Sequence, residues 1–224
     1  MKKVEKATPT KPKARRESGG SEPRPAVKTA KRRLSFHEKH ALETLPGKIA
    51  ALHADSWRRH YRGAYSDAFL DHDVAADRRA VWGDRLKEPD AGCCTILVED
   101  GDALVGFAHT IFEHDPTWGA LLDNLHVVHG LKRRGIGSRL LALTAQAVID
   151  RRAPTGLYLW VLEQNVDGQA FYRARGGRCV ERDLVPAPGG VSSRLSGSPA
   201  ALRYAWPDPG VLIGGDKGSG SDPR

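Results

Sequence analysis

The sequence predicts an α/β domain built around a mixed sheet, and three observations carry that prediction. The chain has 224 residues, of which 40% are hydrophobic and 28% are charged, so it can bury a full core. Two apolar segments flank Gly101-Asp102, which is typical of a β-hairpin. Further along, a strand, a glycine loop, a helix and another strand follow one another, and this order indicates a right-handed βαβ unit.

The spacing of apolar residues assigns the individual elements. Spacings of three and four predict a first helix at 47–60, which Gly63 ends. Ser66 and Asp71 are candidate N-caps of two short helices, the second of which covers 74–86. Further helices are predicted from Ile136 to a stop at 151–154 and over 166–177. Short apolar or alternating segments predict strands at 94–100, 103–115, 120–128, 156–165, 178–184 and 201–206.

The net charge of +8 is concentrated at the N-terminus. Residues 1–33 contain twelve Lys and Arg against three Glu, a net of +9, so residues 34–224 carry the remaining −1. A segment rich in Lys, Arg, Pro, Ser and Ala, without aromatic residues, cannot bury enough apolar surface to offset its ordering entropy. The sequence therefore predicts a disordered basic tail over 1–33, a domain over 34–213 and a flexible C-terminal tail over 214–224.

Composition also excludes several classes of protein. No run of 18 apolar residues could span a bilayer, and the basic N-terminus lacks the apolar segment of a secretory signal. Three cysteines, two of them adjacent, cannot form a disulfide scaffold or a CxxC zinc site, so we expect a reducing, cytoplasmic location and no metal.

A glycine loop between a strand and a helix is the first functional signal. Glycines there let an anion approach the backbone, and the N–H groups at the start of a helix attract negative charge. The loop is neither a P-loop nor a dinucleotide fingerprint, and alone it would also suit a tight turn with solvated basic residues. Its members are Lys132, Arg133, Arg134, Gly135, Ile136, Gly137 and Ser138.

A second motif gives this loop a family context. The strand residues Leu125, His126 and Val127 precede the loop, and after the next strand come Asn165, then Phe171-Tyr172, then Gly176. This combination resembles the GNAT superfamily of acetyl-coenzyme A dependent N-acetyltransferases over residues 34–213. The resemblance implies a mostly antiparallel mixed sheet, splayed at the acetyl-CoA site, with helices on both faces.

The resemblance also implies a set of coenzyme ligands. The loop from Lys132 to Ser138 would hold the pyrophosphate, Leu125, His126 and Val127 would line the splayed strand, and Asn165 would bond the pantetheine arm or cap its helix. Three positions depart from the family pattern: Lys132 replaces Gln or Arg, Gly168 stands where Ala is common, and Gly177 stands where Phe is common.

The resemblance and the strand pattern together suggest the catalytic groups. The backbone N–H of Val127 is the family-like donor to the thioester carbonyl, and Tyr172 is the family-like acid for the departing thiolate. A proton acceptor for the amine is left open between Asp123, expected on the same strand face as Leu125, and Glu163 at the end of the next strand. His126, expected on the face opposite Asp123, is interpreted as a structural histidine.

The resemblance implies that the acceptor is a primary amine of a small molecule, a protein or a peptide. Trp57, Tyr61, Phe69 and Trp82 are candidates for an apolar wall around it. The oligomeric state is left as monomer or homodimer.

Two alternatives to an acetyltransferase function stay open. One is a non-catalytic sensor of acyl-CoA with the same fold. The other is a nucleic-acid-associated protein that acts through its basic tail, since a domain of net charge −1 offers little attraction to phosphates.

Overall fold

The computed structural model describes residues 35–38, 45–88, 90–151 and 156–214. The predicted N-terminal tail lies outside the described residues, and so does the predicted C-terminal tail apart from Gly214. The structural description below therefore concerns the predicted domain.

A seven-stranded mixed sheet forms the centre of the fold. The sequence predicts a mixed sheet and six of its strands, but not the strand at Ser35–Glu38. All neighbouring strands are antiparallel except β4 and β5, which are parallel, and the order across the sheet is β1-β2-β3-β4-β5-β7-β6. The strands are β1 (Ser35–Glu38), β2 (Cys93–Asp100), β3 (Ala103–Asp115), β4 (Gly119–Val127), β5 (Leu157–Leu162), β6 (Arg178–Leu184) and β7 (Ala200–Trp206).

Four α-helices cover the two faces of this sheet. They are α1 (Leu45–His60), α2 (Val74–Arg85), α3 (Ile136–Asp150) and α4 (Val166–Arg173). Alternation along the strands divides the core accordingly. Leu97 and Phe107 pack against α1 and α2, whereas Ile96, Val98 and Ala108 pack with the apolar face of α3. The predicted placement of helices on both faces is therefore confirmed.

The predicted break between two short helices before residue 86 is wrong. A π-helical segment, Phe69–Asp73, runs directly into α2. Asp71 does not cap a helix, because its carboxylate pairs with Arg62. Ser66 does accept a hydrogen bond from the backbone N–H of Phe69, at 3.4 Å. The spacing of apolar residues is compatible with one continuous helix that contains a π-helical turn and also with two separate helices. Phe69 and Leu70 are buried in either arrangement, so the sequence pattern cannot distinguish the two.

Candidate functional site

The strands β4 and β5 separate after two pairs of residues. Ala120 pairs with Leu157 and Leu121 with Tyr158, and the two strands then continue without further pairing. The backbone N–H of Val128 donates to Val105 of β3 at 2.9 Å. Because neighbouring residues of a strand direct their N–H groups to opposite edges, the N–H of Val127 points toward β5. The gap, called the wedge below, thus has a backbone donor on its β4 edge.

A β-bulge in β4 changes the expected faces of the strand. His109 pairs with Asn124 and Thr110 with Leu122, so Asp123 is an additional residue without a partner in this ladder. Leu125 packs on the α3 side, whereas Asp123 pairs with Arg85 of α2. The prediction that Asp123 and Leu125 share a face is therefore wrong, because a bulge interrupts the alternation on which it rested.

His126 also differs from the expected arrangement. Its Nδ1 lies 2.8 Å from Ser56 Oγ of α1, so His126 and Asp123 both face the α1 and α2 side. The prediction that they lie on opposite faces is wrong for the same reason. Burial lowers the pKa of His126 to about 3, which keeps the imidazole neutral. The histidine packs against His53 with ring centroids 4.6 Å apart, so its contacts are those of a structural residue.

Asp123 is held at one of its two carboxylate oxygens. Arg85 Nη1 donates to Oδ2 at 2.6 Å, and Asn124 Nδ2 donates to the same oxygen at 2.7 Å. Oδ1 therefore keeps its lone pairs for another donor. Burial raises the pKa of Tyr61 to about 12, and the charge of Asp123 adds to that rise, so the phenol and the carboxylate lie within electrostatic reach.

Glu163 has a different environment from Asp123. Its two oxygens accept hydrogen bonds from Arg182 Nε and Nη2 at 2.9 and 2.8 Å, and both side chains are exposed. The hydrogen bond from Arg182 lowers the pKa of the Glu163 carboxyl. A carboxylate with both oxygens engaged and a lowered pKa is a weaker proton acceptor than one with a free oxygen.

The glycine loop leaves the start of α3 open. Gly135 is the N-cap residue with a φ of 80°, and no side chain caps the helix. A Cβ at Gly135 would meet no atom within 4 Å, so the surroundings of this residue are open. Arg133 also has a positive φ, of 61°. The backbone thus offers the uncapped N–H groups and positive helix end that suit a phosphate.

Two residues at this loop were missed by sequence reasoning. His60, at the end of α1, lies 2.8 Å from Lys132 Nζ, and the lysine donates to its Nε2 if the imidazole is neutral. Burial, followed by the charge of Lys132, lowers the pKa of His60 and favours that state. Arg175 donates to Ser138 Oγ at 2.5 Å, which adds a cation at the start of α3. Neither residue is close to the loop in sequence, so no local pattern could reveal them.

The departures at Gly168 and Gly177 have steric explanations. Asn165 caps α4 by accepting a hydrogen bond from the N–H of Gly168 at 3.0 Å, and a Cβ at position 168 would lie 2.8 Å from its Nδ2. At position 177 a Cβ would lie 2.7 Å from Trp206, so a larger side chain would collide with that ring. The predicted capping role of Asn165 is confirmed.

Tyr172 lies among aromatic rings on α4. The centroids of Tyr204 and Trp206 are each 6.1 Å from its own, and that of Phe171 is 5.2 Å away. Burial raises the pKa of Tyr172, and the nearby Tyr61 raises it further. The phenol therefore stays protonated at neutral pH and can act as a proton donor.

Only part of the predicted aromatic wall lies at a surface. Trp82 is fully buried and donates from Nε1 to His53 Nδ1 at 3.0 Å, so its predicted place in an acceptor pocket is wrong. Phe69 is buried as well. Trp57 is 8% exposed and stacks on the half-buried Tyr61 with centroids 5.1 Å apart. Tyr61 is thus the member of the wall that a ligand can contact most readily.

Two searches of the described residues gave no result. None of the helices they form is long and apolar enough to cross a bilayer. Within the same ranges, no group of three or more His, Cys, Asp or Glu side chains is arranged to hold a metal ion.

Comparisons with known proteins agree with this geometry. Residues 54–176, more than half of the chain, match the sequence model described as the Acetyltransferase (GNAT) family. The fold is similar to that of the PaiA N-acetyltransferase from Thermoplasma acidophilum in complex with coenzyme A, with a TM-score of 0.58, 17% identity, and coverage of 77% of this chain and 99% of that one. It is also similar to NAA60 from Arabidopsis thaliana in complex with a bisubstrate analogue, with a TM-score of 0.52, 14% identity and coverage of 77% and 97%.

Proposed function

Since this chain belongs to the acetyltransferase (GNAT) family, we propose that it is an N-acetyltransferase that moves an acetyl group from acetyl-CoA to a primary amine. Attack is direct, within a ternary complex of protein, acetyl-CoA and amine. The observation that supports this most is the opening of β4 from β5 directly before the uncapped start of α3. That arrangement offers a slot for an acyl group beside a phosphate site.

The coenzyme is held mainly by backbone groups in this proposal. The N–H groups of Ile136, Gly137 and Ser138 bind the pyrophosphate, because no side chain caps them. Lys132, Arg133 and Arg134 add charge at the same place, together with Arg175. Leu125, His126 and Val127 form the β4 edge of the wedge. Asn165 keeps its Nδ2 for the pantetheine arm, since only its Oδ1 serves the helix cap.

Two groups of the chain stabilise charge during the transfer. The coenzyme supplies a thioester, whose carbonyl is open to attack and whose sulfur departs as a thiolate. The N–H of Val127 faces the wedge and donates to that carbonyl oxygen, and backbone donors of this kind contribute about 2.7 to 4 kcal/mol. Tyr172, kept protonated by its raised pKa, gives its proton to the departing sulfur.

The acceptor amine needs a proton acceptor. An amine with a pKa of about 10.4 is neutral only about once in 2,500 molecules at pH 7. Asp123 is the preferred candidate, because its Oδ1 is not used by Arg85 or Asn124. It acts directly or through a water. Glu163 is the second candidate and is disfavoured by its two hydrogen bonds from Arg182.

The test measures thiol release from acetyl-CoA in the presence of a panel of amines, with mass detection of the acetylated product. Tyr172→Phe should lower kcat by about 100-fold or more while leaving coenzyme affinity unchanged. The matched control is Tyr204→Phe, which removes a buried hydroxyl that has no partner among the described residues. If the protein binds the coenzyme but acetylates none of the amines in the panel, the result would favour a non-catalytic sensor of acyl-CoA instead.

Further parts of the proposal concern the surroundings of the enzyme. We place it in the cytoplasm, as a monomer or homodimer without a metal, on the basis of the cysteine content and the predicted domain organisation. Contact with nucleic acid is limited to residues 1–33, because the rest of the chain has a net charge of −1.

A further inference from the structure

Two arginines near Tyr61 and Tyr65 share one carboxylate. Arg78 donates from Nε and Nη2 to Oδ2 of Asp77, and Arg194 donates from Nη1 to Oδ1 of the same aspartate at 2.7 Å. The three side chains, called the Arg78–Asp77–Arg194 cluster below, therefore carry a net charge of +1. Their exposed fractions are only 10%, 12% and 25% for Arg78, Asp77 and Arg194.

An uncompensated charge at such low exposure costs free energy, and a matching anion would offset that cost. The known hydrogen bonds leave Nη1 of Arg78, and Nε and Nη2 of Arg194, without an acceptor in the described part of the chain. These groups are planar donors of the kind that bind carboxylates.

The cluster is held in place by its surroundings. The guanidinium of Arg78 lies 4.2 Å from the centroid of Trp57, and that of Arg194 lies 4.8 Å from the centroid of Phe69. The backbone carbonyl of Arg194 accepts a hydrogen bond from the N–H of Ser66 at 2.9 Å. The loop between β6 and β7 is thereby joined to the segment that follows α1, and both arginines are preorganised.

The cluster lies on the acceptor side of the proposed active site. The guanidinium of Arg78 lies over Trp57, which stacks on Tyr61, and Tyr65 packs against both of these rings. Two other arginines each have at least one acidic partner of their own. Arg85 is matched by Asp123 alone, and Arg203 contacts two acids, Asp115 and Glu181.

We infer that the Arg78–Asp77–Arg194 cluster binds a carboxylate of the acceptor, so that the substrate class is amines that carry a carboxylate, such as free amino acids. The net charge of +1 matches a single carboxylate better than a doubly charged phosphate. This inference rests on the proposed function, because it places the acceptor amine near Asp123 and its carboxylate at α2.

The experiment compares free amino acids with their carboxamides. Glycine, β-alanine and phenylalanine and the three corresponding amides are tested as acceptors with acetyl-CoA, and their binding to the protein loaded with coenzyme A is measured by calorimetry. The acids should have KM values about 10- to 100-fold lower than the amides, which is the usual effect of hydrogen bonds to a charged group. Arg194→Gln should remove most of this preference by raising the KM of the acids alone.

The matched control is Arg79→Gln, which removes an exposed arginine next to Arg78 and should leave both classes of acceptor unchanged. Arg78→Lys serves as a second variant, since it keeps a charge beside Trp57 but loses the planar donors. Equal use of acids and amides, or an equal effect of Arg194→Gln on both, would overturn the inference. Binding of acids that depends on Arg194, without any thiol release, would overturn the proposed transfer reaction instead.

Discussion

The two sides of the wedge are built from different kinds of groups. On the coenzyme side, the donors are backbone N–H groups of β4 and of the start of α3, with glycines that leave space in front of them. On the acceptor side, the polar groups are side chains from distant parts of the chain, such as Arg85 with Asp123 and Arg194 with Asp77.

This difference determines which substitutions each side of the wedge can accommodate and which ligand features it can recognise. A backbone site depends on local conformation, so it accepts the replacement of a family Gln or Arg by Lys132 without losing its helix-end N–H groups. A site of paired side chains depends on which residues the fold brings together. Small changes there alter the charge balance, and therefore the acceptor, while the coenzyme site stays the same.

The largest expected effect is on the coenzyme side. Gly137→Val should weaken acetyl-CoA binding by about 1,000-fold, because the added methyl groups obstruct the approach of phosphate oxygens to the backbone and cost two or more hydrogen bonds to a charged group. A Cβ at this position already lies 3.5 Å from Phe171 Cζ, so the methyl groups have little room to turn away. Calorimetric titration measures the effect. Gly83→Val, in an open position of α2, controls for the general cost of valine in a helix. Unchanged affinity in a folded Gly137→Val protein would exclude the phosphate assignment.

A smaller effect is expected at the proton acceptor on the other side. Asp123→Asn should lower kcat/KM at neutral pH by about 100-fold. The deficit should shrink as the pH approaches the pKa of the amine, because neutral substrate then needs no acceptor. Acetyl-CoA affinity should stay the same.

Glu163→Gln is the comparison for this experiment. If the deficit that depends on pH occurs there and not in Asp123→Asn, the assignment moves to Glu163. If neither variant shows it, ordered water alone deprotonates the amine, and both carboxylates have only structural roles.

The histidines packed on the acceptor side should make the fold sensitive to acid. Burial lowers the pKa of His109 to about 4 and that of His126 to about 3. Histidines in the unfolded chain bind protons below about pH 6.5, whereas these stay neutral in the fold, so the free energy of unfolding should fall as the pH drops from about 6.5 to about 4. Each contributes at most about 1.4 kcal/mol per pH unit. Chemical denaturation at several pH values measures the slope.

His109→Gln should reduce this slope, because one of the buried imidazoles is removed. The exposed His72 provides the control, and His72→Gln should leave the slope unchanged. The same slope in both variants would mean that the buried histidines do not cause the loss of stability.

The smallest effect is expected from the N-terminal segment. Deletion of residues 1–33 removes a net charge of +9 but no aromatic residue, leucine or isoleucine, so the melting temperature and the turnover of small amines should not change. Any affinity for DNA or RNA should disappear. A large fall in melting temperature would show instead that the segment packs on the domain and contributes to its stability.

The predictions from the sequence agree best with the structure for features that depend on short segments of the chain. The hairpin of β2 and β3, the helix that begins at Ile136 and the cap formed by Asn165 were all predictable. Each depends on alternation, on a glycine turn or on a side chain three residues away, and these are properties of short segments. The family motifs belong to the same category, which is why the family was identified, and a coenzyme site predicted, before the fold was known.

Other features depended on contacts between distant residues. The bulge at Asp123 follows from how β3 and β4 pair, and it places Asp123 on the face of His126 instead of the face of Leu125. Trp82 looked like a pocket residue, but packing against His53 placed it in the core.

The sequence by itself thus determined the family and most of the element order, and it predicted the backbone donors of the coenzyme site. Only the tertiary structure decided which charges meet on the acceptor side. Arg194 is brought to Asp77 and Arg78, which are neighbours on α2, because the loop that contains Arg194 is hydrogen-bonded to the segment after α1. Ion pairs of this kind leave no local signature, because their free energy depends on burial and distance rather than on neighbouring residues.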